Sequence, residues 1–253
     1  HKWDGFTPME YIGLDNYKLI FNFDSFTAQA FWPAVKNTLL FVAIQSPLLV
    51  ILPFLIALLL HRANRFKGFF RGVIYFPAIL SVATVGLIWY FMLDTNIGIL
   101  NTLLGETIPW ITQTPYAWVS IILMSTWWGI GGNMLLYLSG LSGVSKDLIE
   151  ASWIDGANKF QSFIHVVIPQ MSRTIAYVSI MTILSTFNIF GQPMMLTAGG
   201  PNYQTRVAIM FIYDTAFGGY KFGRATAMAI VMGIIMVGAS ITAYKLQKGG
   251  DNE

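Results

Sequence analysis

NTLLFVAIQSPLLVILPFLIALLL, residues 37–60, contains no Asp, Glu, Lys or Arg, and its reading decides the fold class. A hydrocarbon core about 30 Å thick is crossed by roughly 20 apolar residues of α-helix, so the run reads as a membrane span. Lys36 and Arg62 bracket it. The same charge-free pattern recurs between Arg71 and Asp94, Glu106 and Lys146, Arg173 and Arg206, and Arg224 and Lys245. The most apolar stretches are residues 37–60, 72–93, 117–140, 174–196 and 225–244, spans A to E. They predict an all-α polytopic membrane protein with five transmembrane helices, in one transmembrane domain over residues 1–253.

Composition agrees. Of 253 residues, 55% are hydrophobic and 11% charged, about half the charged share of soluble domains. A wetted surface all round is therefore excluded. The net charge of +3 does not indicate nucleic acid, because the basic residues gather between apolar spans, as positive loops at a membrane do. Absence of cysteine excludes a disulfide frame, a thiol nucleophile and Cys-ligated metals.

The connections alternate in charge. The A–B loop, His61 to Arg71, carries Arg62, Arg65, Lys67 and Arg71 and no acid, whereas the B–C loop, Asp94 to Tyr116, carries Asp94 and Glu106 and no base. The positive-inside rule places the first in the cytoplasm and the second outside. Continuing the alternation puts the C–D loop inside, the D–E loop outside and the tail with Lys245 and Lys248 inside. The His1 end is then outside and the Glu253 end cytoplasmic, which calls for a sixth span before His1. Pro47, Pro53, Pro77 and Pro193 read as local kinks, which membrane helices tolerate when neighbours satisfy the freed carbonyls. Ala225, Ala229 and Gly233 recur every fourth residue and predict a small-residue packing face on span E.

The C–D loop is long for a tight connection. Residues 146–154 are good helix formers with Asp147 and Glu150 near the amino end, where the helix dipole favours acids. Asp155-Gly156 breaks the helix. Asn158 with Gln161 forms a capping-box start for a second helix, expected to end near Pro169. Such a hairpin, residues 145–169, reads either as a docking element for a cytoplasmic partner or as an interfacial helix on the headgroups.

Glu150-Ala151-Ser152, then Asp155-Gly156-Ala157, then Phe163, Ile168 and Pro169 resemble the EAA loop of permease subunits in binding-protein-dependent ABC importers. Ser152 stands where the motif's second Ala is usual. Leu196-Thr197-Ala198-Gly199-Gly200-Pro201, with Thr205 and the run Tyr213 to Ala225, is similar to the outer loop of the carbohydrate-uptake branch. Trp3-Asp4-Gly5-Phe6 and Ile12 to Tyr17 are similar to the segment after its first span, as in maltose and glycerol-phosphate permeases. The resemblance covers essentially the whole chain. It implies a six-span core, a second permease subunit (a heterodimer), two ATPase subunits carrying ATP and Mg, and an extracytoplasmic solute-binding protein, in a bacterial or archaeal cell membrane. It also implies that the chain is a transport subunit and not an enzyme, holding no cofactor itself. Glu150, Ala151, Ser152, Asp155, Gly156 and Ala157 would couple to the ATPase, with Glu150 on its surface and Gly156 at the sharp turn. The cargo implied is a sugar, oligosaccharide or related polyol.

The residues exclude some chemistry directly. There is no G-x-x-x-x-G-K-[ST] loop to cradle a nucleotide phosphate. His1, His61 and His165 are scattered, so a metal site is not expected. A stand-alone secondary carrier or channel for a small polar solute is the rival reading, but it calls for intramembrane carboxylates or an inverted repeat, and neither is evident. For a substrate site near the midplane, rise per residue puts Trp127 and Trp128 about 17 Å below the start of span C, and Thr182, Ser185 and Thr186 about 13–20 Å above the start of span D. Ser125, Trp128, Gly129, Gly132, Asn133, Thr182, Ser185, Thr186 and Asn188 thus offer rings, hydroxyls and amides at one depth, a set suited to a sugar. The same residue types also pack and hydrogen-bond between membrane helices. Thr186 and Ile189 stand near places where well-studied sugar permeases carry Asn. Trp110, Tyr116 and the Gly199-Gly200-Pro201 turn are expected to face the binding protein, or else to form an aromatic belt and a turn.

Overall fold

A computed structural model describes residues 2–6, 8–62 and 66–249, without the side chains of residues 244 and 246–249. His1, Arg65 and Glu253, used above for loop charge and orientation, lie outside the described residues, as does the Lys248 side chain. The helices in chain order are α1 (Asp15–Phe21), α2 (Phe26–Arg62), α3 (Lys67–Ile79), α4 (Val82–Met92), α5 (Ile99–Leu104), α6 (Tyr116–Ser142), α7 (Lys146–Ile154), α8 (Lys159–Ser162), α9 (Ile168–Phe187), α10 (Gly191–Leu196), α11 (Ala208–Tyr213) and α12 (Phe222–Gly249). Wide π-type turns, Phe163–Val167 and Asp214–Gly218, join α8 to α9 and follow α11. Among the described residues four helices are long and apolar enough to cross a bilayer, and α3 with α4 makes a fifth when the bent pair counts as one span.

Spans A, C and E correspond to α2, α6 and α12, each longer than the apolar stretch that predicts it. Pro47 and Pro53 sit inside an unbroken α2. Span B differs from a straight helix: α3 and α4 meet at 99°. Pro77 has no N–H to continue the ladder, α3 stops at Ile79, and extended Leu80 and Ser81 turn the chain. The Ser81 hydroxyl then accepts from the Thr84 N–H and restarts a helix. Span D is also corrected, since residues 174–196 are not one helix. α9 ends at Phe187, and α10 packs separately on α4. A Cβ on Gly86 would lie 2.4 Å from Met195 Cβ, and one on Gly191 2.7 Å from Val82 Cγ2, so α4 and α10 approach at glycines.

The second hairpin helix does not end near Pro169. From Lys159 it runs through the π-type turn into α9, a helical span reaching Phe187. In a regular helix the Pro169 ring clashes with the carbonyl of His165. The widened turn, in which the Ile168 N–H reaches the Phe163 carbonyl, gives the ring room.

α2 organises the interior. It packs on α6, α9 and α11 and passes three apolar clusters: Phe31 with Phe187, Phe211 and Met228; Phe41 with Trp89, Met124, Leu196 and Met210; and Ala57 with Tyr137, Leu141 and Met171. Leu55, Leu59, Ile79, Leu87 and Phe91 point outward and are exposed, as lipid-facing residues of a membrane helix are. The predicted Ala225-Ala229-Gly233 packing face is not the one α12 uses. Ala225 is buried with Met228, Val231 and Met232, but Ala229 is exposed and nothing lies near a Cβ on Gly233. The large residues bury more apolar surface per position and win the inward face.

Candidate functional site

Two constellations carry the candidate site residues. The first is the hairpin. Ser145 caps α7 by accepting from the Leu148 N–H, and its own N–H donates to Gln170 Oε1 at 3.0 Å, tying the start of the hairpin to the foot of α9. Asp155 closes α7, and Gly156 follows at φ +88°, a left-handed conformation that favours glycine. The Ala157 N–H donates back to the Ser152 carbonyl at 2.9 Å. Asn158 Oδ1 accepts from the Phe160 and Gln161 N–H groups while Gln161 Oε1 accepts from the Asn158 N–H, the capping box in full. The Ser152 and Ser162 hydroxyls are hydrogen-bonded across the hairpin and hold its arms together. An Ala at 152 lacks that hydroxyl, so the departure from the usual motif adds a bond here.

Glu150, Ala151, Asp155 and Gly156 are exposed, and Ser152 and Ala157 are half-buried. Beyond them, Ile154 at 87% and Phe160 at 72% exposure present large apolar groups to the outside. Ser152, Asp155, Gly156, Ala157, Gln161 and His165 share one concavity of about 330 Å³.

The second constellation is a polar seam where α2, α6 and α9 cross. Asn133 Nδ2 donates to the Leu49 carbonyl at 2.7 Å and to Thr182 Oγ1 at 2.9 Å. The Ser46 and Thr186 hydroxyls pair at 2.8 Å, and Gln45 donates to Thr126 Oγ1 at 3.0 Å. Of the residues read as one ring of sugar contacts, Asn133, Thr182 and Thr186 do come together, but Thr182 and Thr186 are buried and hydrogen-bonded to protein. Ser125 is buried as well, its hydroxyl without a partner among the described residues. Gly129 lies against Leu49, where a Cβ would come within 3.1 Å.

The others face elsewhere. Trp128 is half-buried and donates Nε1–H to the Leu80 carbonyl at the bend between α3 and α4. Gly132 has open space beside it. Ser185 and Asn188 are exposed, and Asn188 reaches across to α12 near Met236. The predicted single ring is thus split into a buried seam and an accessible remainder: the rows four apart, Ser125-Gly129-Asn133 and Thr182-Thr186, turn inward, while Trp128-Gly132, Ser185 and Asn188 lie off them. Gln45 and Ser46 are seam members that the sequence reading passed over. Their signal was two adjacent polar residues in the middle of a charge-free apolar run.

On the opposite side from the hairpin, the Thr197 to Arg206 turn is fastened to the helix ends. Thr197 and Thr205 share a hydrogen bond at 2.7 Å, Gly199 takes φ +81°, and Asn37 Nδ2 donates to the Gln204 and Arg206 carbonyls. Trp118 Nε1–H donates to the Gln204 carbonyl at 3.2 Å. Trp110 is held inside the B–C connection by donating to Asn101 Oδ1 at 2.8 Å. Arg206 pairs with Asp214 and lies over the Tyr203 and Phe211 rings, each 4.8 Å from the ring centroid. In the B–C loop the Asp94 carboxyl is held below the usual carboxylate range by the Ile97 and Asn96 N–H groups. Among the described residues no group of three His, Cys, Asp or Glu could hold a metal ion.

Comparison with known proteins agrees with this architecture. The probable ABC transporter permease YurN of Bacillus subtilis is 30% identical over 261 residues, covering 100% of this chain and 88% of that protein. The multiple sugar-binding transport system permease MsmF of Streptococcus mutans is 32% identical over 251 residues, 97% of this chain and 84% of the relative. A chain in the crystal structure of a bacterial ABC transporter involved in import of the acidic polysaccharide alginate superposes with a TM-score of 0.85, at 20% identity, over 95% of this chain and 85% of that one. Residues 38–249 match the family described as binding-protein-dependent transport system inner membrane component. A multi-pass helical membrane chain with this match is a transport component rather than an enzyme, and it belongs to the binding-protein-dependent transport system inner membrane component family.

Proposed function

We propose that the chain is a permease subunit of an ATP-driven importer for a sugar, oligosaccharide or related polyol delivered by an extracytoplasmic binding protein. The supporting relatives include permeases named for multiple sugars, starch degradation products and lactose. In this reading a second permease completes the pore, and two ATPase subunits carrying ATP and Mg bind on the hairpin side. The orientation follows loop charge: hairpin in the cytoplasm, Thr197–Arg206 turn outside, in a bacterial or archaeal cell membrane.

The observation that carries the coupling role is the hairpin's geometry. Glu150, Ala151, Ser152, Asp155, Gly156 and Ala157 form a rigid elbow with internal caps, and Ile154 and Phe160 stand unpartnered beside it. An exposed apolar pair on a pre-ordered elbow suits helix-in-groove docking at low ordering cost. Closure of the ATPase pair would push the elbow and shift the permease between inward- and outward-open states, whose populations follow the differential contacts in each. Substrate contact is assigned to the accessible candidates, Trp128, Gly132, Ser185 and Asn188, while Asn133, Thr182 and Thr186 hold the helices around them.

Purification from the native membrane tests the reading. A similar permease and an ATPase pair are expected to accompany the chain. Recovery as a lone oligomer with solute flux independent of ATP would instead favour a stand-alone carrier or channel.

A further inference from the structure

Behind the elbow, on the side turned toward the bundle, lies a cavity of about 360 Å³ between α7–α8 and the ends of α2 and α6. Its ionisable lining residues are His61, Arg62, Lys146 and Lys159, and no acid lines it. Its cations are Arg62, Lys146 and Lys159, and among the described residues none of the three is ion-paired with a carboxylate. The rest of the wall is mainly apolar, from Leu58, Leu141, Val144 and Trp153 among others. On α7, Lys146, Ile149 and Trp153 line the cavity, and neither Asp147 nor Glu150 belongs to its wall, although Glu150 sits one turn along from Lys146.

We propose that this cavity binds the headgroup of an anionic phospholipid from the leaflet on the hairpin side. The proposal rests on the reading above that the hairpin stands at the membrane surface. Clustered basic residues at the edge of a membrane helix attract anionic lipid, and a pocket between helix ends adds shape to the charge. The apolar wall distinguishes the lipid from a free anion. A hydrated phosphate gains nothing from Leu58 and Leu141, whereas a glycerol backbone and the first acyl methylenes are removed from water there. Half-exposed Trp153 stands at the rim, the place aromatic side chains take at headgroup level. The bound lipid would neutralise the cavity and brace the inner side of the elbow, whose Glu150 and Gly156 do not line it.

The test uses the intact complex in phosphatidylcholine vesicles carrying spin-labelled phosphatidylglycerol or, in parallel, spin-labelled phosphatidylcholine. The wild type is expected to immobilise the anionic label in preference to the neutral one. Lys146→Gln with Lys159→Gln is expected to weaken that preference roughly tenfold, while Lys146→Arg with Lys159→Arg retains it and the exposed control Lys18→Gln leaves it unchanged. Undiminished preference in the double Gln variant would overturn the site. So would release of the label by inorganic phosphate, which would assign the charge to a free anion, or loss of a co-purifying ATPase from the Gln variant alone, which would assign it to protein docking. The lipid comparison is made between wild type and variant in the same vesicles, so a wild type that purifies without any ATPase counts against the proposed function and not against this site.

Discussion

Asn133 of α6 donates to the Thr182 hydroxyl of α9 across 2.9 Å, and the same amide holds the Leu49 carbonyl of α2. One side chain therefore fastens three membrane helices. Interhelical hydrogen bonds in lipid are worth about 1 kcal/mol each, so Asn133→Leu should lose roughly 1–2 kcal/mol, read as a fall in unfolding temperature in detergent. Thr182→Val should lose less, since the bond to Leu49 survives it. Equal stability of Asn133→Leu and wild type would deny the seam its fastening role.

Neighbouring glycines of α6 should respond in opposite ways. A Cβ on Gly131 would meet the Ile74 carbonyl oxygen at 2.6 Å and Tyr75 Cα at 2.7 Å, both backbone of α3. Gly131→Ala must push α3 away and should destabilise by about 1–3 kcal/mol. Gly132→Ala meets nothing and should be neutral or slightly stabilising, through its helix propensity. Thermal stability of the two variants side by side checks this.

At the elbow, Gly156 has open space around it but a left-handed backbone. Gly156→Val should cost about 1–3 kcal/mol of local strain and Gly156→Asn less. With the coupling role proposed, Glu150→Lys and Gly156→Val should leave ATP hydrolysis running while uptake falls, an uncoupling seen by measuring both in proteoliposomes. Wild-type uptake in both variants would contradict that role.

Transport kinetics separate the two halves of the substrate candidates. Trp128→Ala and Asn188→Ala should raise the apparent KM for the carried solute several-fold, in the range of one lost polar or stacking contact. Thr186→Ala should chiefly lower stability, because its hydroxyl is engaged with Ser46 and the Thr182 carbonyl. A KM effect at Thr186 larger than at Trp128 and Asn188 would reverse the assignment.

The B–C loop should be acid-sensitive. Asp94 accepts from the Ile97 N–H at 3.0 Å and the Asn96 N–H at 2.8 Å, which keep its carboxyl below the ordinary 3.8. For a depressed carboxylate the stabilisation is complete above the ordinary value and disappears as pH falls through the lower folded value. Hydrogen exchange at Asn96 and Ile97 should therefore be steady, after correction for intrinsic rates, down to about pH 4 and quicken below it. Asp94→Ala should show the quickened exchange at every pH.

Much of the fold was legible because a bilayer imposes one crude rule, that twenty or so residues without charge make a span. Spans A, C and E follow that rule. The bend in span B and the break in span D were marked only by Pro77 and Pro193, and a membrane helix tolerates proline without breaking, as α2 does at Pro47 and Pro53. Asp155-Gly156 and the Asn158–Gln161 cap were readable, since both depend on local backbone chemistry. The seam was only half readable: Thr182 and Thr186 are ordinary residues for a membrane helix, and which of them pairs inward depends on rotations about three helix axes.

The π-type turn at Phe163–Val167 leads from the elbow into α9 without a stop. Lys159–Phe187 is a single helical rod of 29 residues, about 43 Å at 1.5 Å per residue, with the elbow at one end and Thr182 and Thr186 near the other. A crank of this kind has no slack joint between handle and shaft. A displacement of the elbow that turns or lifts the shaft as one piece loads first the Ser145 N–H bond to Gln170 at its foot and then, at the far end, the bonds from Thr182 to Asn133 and from Thr186 to Ser46.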